Sequence, residues 1–185
     1  MLLYGSPNTR STRVAWALEE AGLTYDYTAI DLRKGEGFQP AFTKLNPAGK
    51  VPVLVDDQGL VLTESAAICI YIADLVPESG LVPPVGSAQR AIHNQWCFYA
   101  LSELEQPLWL IAKHSFVFPE EQRVPAVIPS AQWEYQNMLK VLALGLGATR
   151  FILGARSSLA DILIRHALLG SPYRLMLPLP HDNLA

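Results

Sequence analysis

LNPAGKVPVLVDD, residues 45–57, is the stretch on which the reading of this chain turns. Val51, Val53, Leu54 and Val55 have the texture of a buried strand that ends at the turn Asp56-Asp57-Gln58-Gly59. Pro52 interrupts it, and a proline there withholds a ladder hydrogen bond. A core strand that begins with a residue unable to donate needs a reason, and the reason lies in what surrounds it.

Downstream, Leu60 to Thr63 reads as the partner of a hairpin closed at Gly59. Ser65 to Leu75 then gives a helix with Ala66, Ile68, Cys69, Ile72 and Ala73 apolar. Upstream, Met1 to Tyr4 is a short strand broken at Gly5-Ser6-Pro7. From Ser11 or Thr12 a helix carries Val14, Trp16, Ala17 and Leu18 on its apolar side and stops at Gly22. Tyr25 to Leu32 alternates as a second strand, followed by the polar connection RKGEGFQPAFTKLNP. The order βαβ then ββα predicts a small α/β layer domain over residues 1–76.

Pro and Gly then crowd VPESGLVPPVGS, which marks residues 77–87 as a linker. Beyond it the texture is helical throughout, so residues 88–185 read as an all-α helical-bundle domain. A long helix is expected from Ala88 to about Ser115, interrupted at Pro107, with others over Ser130 to Leu144 and Leu159 to Leu169. Ser158-Leu159-Ala160-Asp161 has the form of a capping box in which Asp stands for the usual Glu. That exchange should weaken the reciprocal bond to the cap while leaving the cap itself.

Half of the residues are apolar and 17% are charged, so a sizeable core is available. Fourteen basic against seventeen acidic side chains, net −3, provide no polycationic face for nucleic acid. The longest apolar runs, Val14 to Leu18 and Ala66 to Ala73, fall far short of the roughly 20 residues that span a bilayer. The N-terminus has no basic segment followed by an apolar core, so no signal peptide is read there. Cys69 and Cys97 are too few for a disulfide framework and sit in apolar helical patterns, as buried thiols of a cytoplasmic protein would. No phosphate-binding glycine loop, CxxC, HExxH or GxSxG is present, and His93, His114, His166 and His181 have no metal-ligand spacing and read as surface or half-buried residues. Neither metal nor nucleotide is expected.

Three features remain. GSPNTRST, residues 5–12, places hydroxyls and free N–H groups at a helix start, a setting that favours an anion and lowers a thiol pKa. Capping by Thr9, Ser11 or Thr12 explains the same residues equally well. Thr63-Glu64-Ser65 does likewise at the next helix, where a Ser hydroxyl and N–H hold a carboxylate and Glu64 pairs with an amine. The third feature is Val51-Pro52.

Taken together, LYGSPNTRSTRVAWALEEAGL, NPAGKVPVL and TESAAICIYIAD resemble the thioredoxin-like, glutathione-binding domain of cytosolic glutathione transferases of bacterial type. The helical half with its SxxD box is similar to that family's C-terminal domain. The resemblance implies a mixed four-stranded sheet and a cis bond before Pro52, which turns the Val51 main chain outward to pair with an extended peptide, glutathione. It implies that Glu64 and Ser65 hold the γ-glutamyl end and that Lys50 approaches the glycyl carboxylate, with Gln39 or Lys34 as weaker candidates. The thiol then lies over residues 8–11, where Thr9 is the first choice for stabilising it and Ser11 the second, with Asn8 as a donor and Arg10 as a nearby positive charge. The position at which one bacterial class carries a cysteine holds Arg10.

The implied function is a homodimeric glutathione transferase in detoxification, activating the thiolate against small hydrophobic electrophiles. Glutathione-dependent disulfide or peroxide reduction is the alternative enzyme, and a non-catalytic binding module the alternative to an enzyme. Family members usually run further than LPLPHDNLA, so the expectation is that further C-terminal helices are missing from this sequence.

Overall fold

The computed structural model describes residues 1–175, and their side chains through residue 170; the terminal LPLPHDNLA, with His181, lies outside the described residues. The chain divides into two units, Met1–Val85 and a second that begins at Gly86.

In the first unit β1 (Leu2–Gly5) leads through a loop into α1 (Ser11–Glu20), and β2 (Asp26–Ala29) returns beside β1. Two short 3-10 turns and α2 (Pro40–Thr43) precede the hairpin of β3 (Val53–Val55) and β4 (Val61–Leu62), after which comes α3 (Ser65–Leu75). The sheet order is β2-β1-β3-β4, with β1 parallel to β2 and the other pairings antiparallel. This is the mixed four-stranded sheet of a thioredoxin-like domain. The strands are shorter than their apolar runs because Pro52 bars pairing at the start of β3 and Gly59, at φ +84°, closes the hairpin early. The Asp56 carboxylate accepts the Gln58 and Leu60 N–H groups inside that turn and the Tyr71 hydroxyl from α3. At the end of α1, Gly22 takes φ +67° and the Leu23 N–H reaches back to the Leu18 carbonyl, the Gly stop that the sequence anticipates.

Period-two alternation sets the two faces of the sheet. Tyr4 and Val53 are register partners and pack with Ile30, Phe42, Leu45 and Val51. Leu3 and Leu54, the next pair, point to the opposite face and are fully buried, as are Val14 and Leu18 of α1 and Ile68 and Ile72 of α3. Each such aliphatic side chain contributes about 1.5–3 kcal/mol by leaving water. α1 and α3 also pack on each other, so their N-terminal ends are fixed relative to the sheet. Leu81 and Val82, within the segment read as a linker, are buried.

The second unit is helical: α4 (Ala88–Tyr99), α5 (Glu105–Ala112), α6 (Ile128–Leu146) and α7 (Leu159–Leu175). The long helix expected to break at Pro107 instead widens upstream of it, in a π-helical stretch over Ala100–Leu104, and Pro107 lies buried inside α5. A proline cannot donate to the carbonyl one turn back and its ring crowds that carbonyl; the wider turn absorbs both effects. The Ser158 box also differs from expectation. Asp161 Oδ2 accepts the Ser158 N–H at 2.8 Å, so the reciprocal bond is made despite the shorter side chain. The Ser158 hydroxyl donates to the same oxygen at 2.7 Å rather than accepting from the helix, and Oδ1 accepts the Ile152 N–H at 2.8 Å. His93 is fully buried rather than on the surface, with Nε2 at 3.6 Å from Cys97 Sγ.

Candidate functional site

Register alone gathers the three features of the sequence at one end of the sheet. Tyr4 faces Val53 across an antiparallel pair, so the end of β1, from which the Ser6–Arg10 loop departs, lies beside the residues just before β3. Leu54 faces Leu62 across the next pair, so the end of β4 and the start of α3 emerge at that same end. β2 runs parallel to β1 and delivers residues 30–49 there as well. Residues 8–11, 50–52 and 64–65 therefore share one end of the first unit.

The peptide bond between Val51 and Pro52 is cis. The Val51 side chain packs toward Ile30, Phe42 and Val53, while no hydrogen bond engages its main chain among the described residues. This answers the oddity of the opening stretch: the side chain belongs to the core and the polar backbone is left over. The turn before it is organised by Asn46, which the sequence reading did not single out. Asn46 Nδ2 donates to the Lys50 carbonyl at 2.7 Å, and Oδ1 accepts the Ala48 N–H at 3.1 Å. Gly49 sits there at φ +66°, with the Phe38 ring so close that an added Cβ would fall 2.7 Å from it. The Asn-Pro pair followed by Gly was the available signal, since Asn side chains close turns onto their own backbone. Lys50 is exposed, and its ammonium has no partner among the described residues.

Glu64 stands at the N-cap of α3 with φ +65° and ψ 106°, a backbone conformation that side-chain-bearing residues rarely adopt. Its exposed carboxylate does not cap the helix and, like the Ser65 hydroxyl, has no partner among the described residues. Ser65 is itself 4% exposed, which holds its hydroxyl at a fixed place on the helix start. Asn8 and Glu64 are the two non-glycine residues at positive φ among the described residues, and both belong to this cluster. Strain of that kind, roughly 1–3 kcal/mol each, concentrates where a side chain must be aimed.

In the loop, Asn8 is exposed and its carboxamide is unengaged among the described residues. The Thr9 hydroxyl has one proton and two acceptors in reach, the Ser6 carbonyl oxygen at 2.6 Å and Ser11 Oγ at 2.9 Å. Its oxygen also accepts the Ser11 N–H at 3.2 Å, so Thr9 ties the loop to α1. Ser11 is 1% exposed and accepts the Ser6 N–H at 3.3 Å, which places it beneath the loop rather than on it. Arg10 is half-buried at the N-cap of α1 and makes no side-chain cap. Gln39 is exposed at the start of α2 and its carboxamide has no partner among the described residues, whereas Lys34 pairs with Asp31 at 3.4 Å. The surface so assembled offers a cation at Lys50, an anion at Glu64, a hydroxyl at Ser65 and an open strand edge at Val51. It suits an extended, zwitterionic peptide. Among the described residues no group of three or more His, Cys, Asp or Glu side chains converges on a metal-sized space. Both cysteines are buried, and burial pushes the Cys97 thiol up to about 12.

Residues 1–74 match the model of the glutathione S-transferase N-terminal domain. The disulfide-bond oxidoreductase YfcG of Escherichia coli K12 is 34% identical over 166 residues, 86% of this chain and 75% of the relative. Glutathione S-transferase GstA of Escherichia coli O157:H7 is 31% identical, covering 87% and 77% of the two chains. Among solved structures, a ternary complex of BphK, a bacterial glutathione transferase, superposes with a TM-score of 0.85 at 32% identity, over 97% of this chain and 86% of that one. A sphingomonad glutathione S-transferase complexed with glutathione superposes at 0.81 and 30% identity, over 95% and 84%.

Proposed function

Because this chain belongs to the glutathione S-transferase family, we propose that it binds glutathione at the Val51, Glu64 and Ser65 cluster and activates the thiolate for attack on small hydrophobic electrophiles. The observation that carries this reading is the Val51 main chain before Pro52, which like the Glu64 carboxylate and Ser65 hydroxyl at the same sheet end has no partner among the described residues. The peptide lies as an extra strand along Val51, with Glu64 on the γ-glutamyl amine and Ser65, at the start of α3, on its carboxylate. Lys50 takes the glycyl carboxylate, with Gln39 as a secondary donor. This work belongs to residues 1–76.

That pose sets the sulfur over residues 8–11. Asn8 becomes the first choice of donor to the thiolate, ahead of Thr9, because the Thr9 proton is claimed within the loop and Ser11 is covered. Arg10 adds positive charge near the sulfur. The protein's share of the chemistry is then orientation of the sulfur and stabilisation of its negative charge. The sulfur forms a bond to the electrophilic carbon, whose leaving group departs with the electron pair. Two buried thiols fit a cytoplasmic protein, and the family reading makes it a homodimer serving detoxification.

A second reading, glutathione-dependent reduction of disulfides, is favoured by the 34% identity to a disulfide-bond oxidoreductase. Conjugation of 1-chloro-2,4-dinitrobenzene measured beside reduction of 2-hydroxyethyl disulfide separates the two. Faster turnover of the halide supports the transferase, faster turnover of the disulfide the reductase. Glutathione binding with neither activity would leave a binding module.

A further inference from the structure

We infer that Asn46 is a positioning residue for glutathione: its carboxamide holds the turn that presents Val51 and Lys50 in the shape of the extended peptide. The inference rests on the reading that glutathione lies along Val51, and it concerns a residue that touches no ligand atom. Asn46 is 8% exposed, so its polar group must be satisfied within the protein. Both ends of the amide are. Nδ2 donates to the Lys50 carbonyl at 2.7 Å, Oδ1 accepts the Ala48 N–H at 3.1 Å, and the Asn46 carbonyl accepts the Gly49 N–H at 2.9 Å. The loop from Asn46 to Lys50 is thus pinned at three points by one residue.

The first of these bonds acts on the ligand edge. The Lys50 carbonyl belongs to the peptide unit whose N–H is that of Val51, so the Asn46 donor fixes the plane of that unit and the direction of the Val51 N–H. It also sets where the Lys50 side chain departs. Nothing downstream repeats this control, because strand pairing begins only at Val53. Without the Asn46 donor, the Lys50–Val51 unit would have to be ordered at the moment of binding, and that ordering is subtracted from affinity.

The consequences are specific. Glu64, at the N-cap of α3, and Ser65, its first residue, do not depend on the turn, so the γ-glutamyl end keeps its partners in an Asn46 variant. Only the contacts along Val51 and Lys50 weaken. Asn46→Ala should raise the glutathione Kd about tenfold, the size of one lost hydrogen bond of about 1.4 kcal/mol. The KM for glutathione should rise in parallel with kcat nearly unchanged, since the turn does not touch the sulfur. The advantage of glutathione over γ-glutamylcysteine, which lacks the glycyl carboxylate, should shrink as well.

Asn46→Asp separates the two bonds, because a carboxylate still accepts from Ala48 but donates nothing to Lys50. The experiment is calorimetry with glutathione and with γ-glutamylcysteine on wild type, Asn46→Ala and Asn46→Asp, with circular dichroism to verify folding. The expected result is weakened glutathione binding in both variants and a reduced preference for the tripeptide. Should Asn46→Ala not fold, Asn46→Asp reads the same bond. A glutathione Kd within twofold of wild type in a folded variant overturns the inference and leaves the glutathione site standing. So does an equal loss for both peptides, because the Lys50 contact to the glycyl carboxylate would then not depend on the turn. Wild type that binds neither peptide overturns the site, and the inference with it.

Discussion

Asp161 offers the sharpest test of the energetics of the helical unit. The residue is 6% exposed, and its carboxylate accepts three hydrogen bonds at 2.7–2.8 Å, from the Ile152 N–H, the Ser158 N–H and the Ser158 hydroxyl. Asp161→Ala removes all three and strands two buried main-chain donors. An unsatisfied buried donor costs about 1–3 kcal/mol, so the loss should be about 3–5 kcal/mol after partial relaxation. That is a large part of the roughly 5–15 kcal/mol that holds a domain folded. Ser158→Ala removes only the hydroxyl contact to the carboxylate and should cost about 1.5–3 kcal/mol. Asp161→Asn keeps one acceptor oxygen but turns an NH2 toward N–H donors, and should fall between. Urea denaturation followed by circular dichroism gives the three values from the shift in midpoint at constant slope. On heating, Asp161→Ala should melt about 6–20 °C lower, at about 2–4 °C for each kcal/mol in a chain of this size. A loss below about 1 kcal/mol for Asp161→Ala, or equal losses for Ser158→Ala and Asp161→Ala, would show that the two main-chain bonds to Asp161 do not stabilise the helical unit.

Three further outcomes follow from named contacts. Neither Cys69 nor Cys97 should react with a thiol reagent in the native protein at pH 8, whereas both should after denaturation; a native-state reaction would show that burial does not protect them. The Asp56 carboxyl is held below its ordinary 3.8, first by the Tyr71 hydroxyl and then by the Leu60 N–H. A depressed folded pKa contributes stability above the unfolded value and loses it as pH falls through the folded one. Tyr71→Phe should therefore be destabilised at pH 7 and approach wild type in acid, below the normal Asp range; a pH-independent difference in denaturation midpoints would contradict this. Asn8→Ala should raise the pKa of bound glutathione in an ultraviolet thiolate titration. Thr9→Ala should do so less while lowering the melting temperature more, because its hydroxyl closes the loop on Ser6.

How much of this was legible in the sequence depends on whether the signal was local. The helix Ser65–Leu75 was readable to the residue because Thr63-Glu64-Ser65 announces a start and its apolar positions repeat at helical spacing. The strands were overextended, since apolar texture marks an extended segment and not what is paired; Val51 is half-buried without a strand partner. Pro107 misled because its effect is felt a turn upstream, in a widened helix, rather than at the proline. His93 read as a surface or half-buried residue, and is fully buried, because a lone polar side chain on a helix gives no sign of its tertiary neighbours. In the candidate site the residues could be named, but the order of Thr9 before Ser11, with Asn8 as a further donor, had no local signal behind it. Which of Asn8, Thr9 and Ser11 has a donor to spare depends on bonds within the loop, and the φ of Glu64 depends on how β4 meets α3. Neither has a signature in composition or spacing.

The central claim is that the Val51 edge and the start of α3 together capture glutathione, and isothermal calorimetry on wild type and Ser65→Ala tests it most directly. The Ser65 hydroxyl has no partner among the described residues, so its removal leaves the fold alone and deletes a hydrogen bond to a carboxylate, worth about 1.5–3 kcal/mol. Glutathione should bind wild type saturably, and its Kd should be roughly 10- to 100-fold weaker in Ser65→Ala at an unchanged melting temperature. Equal affinity in the two proteins, or no binding to wild type, would contradict it.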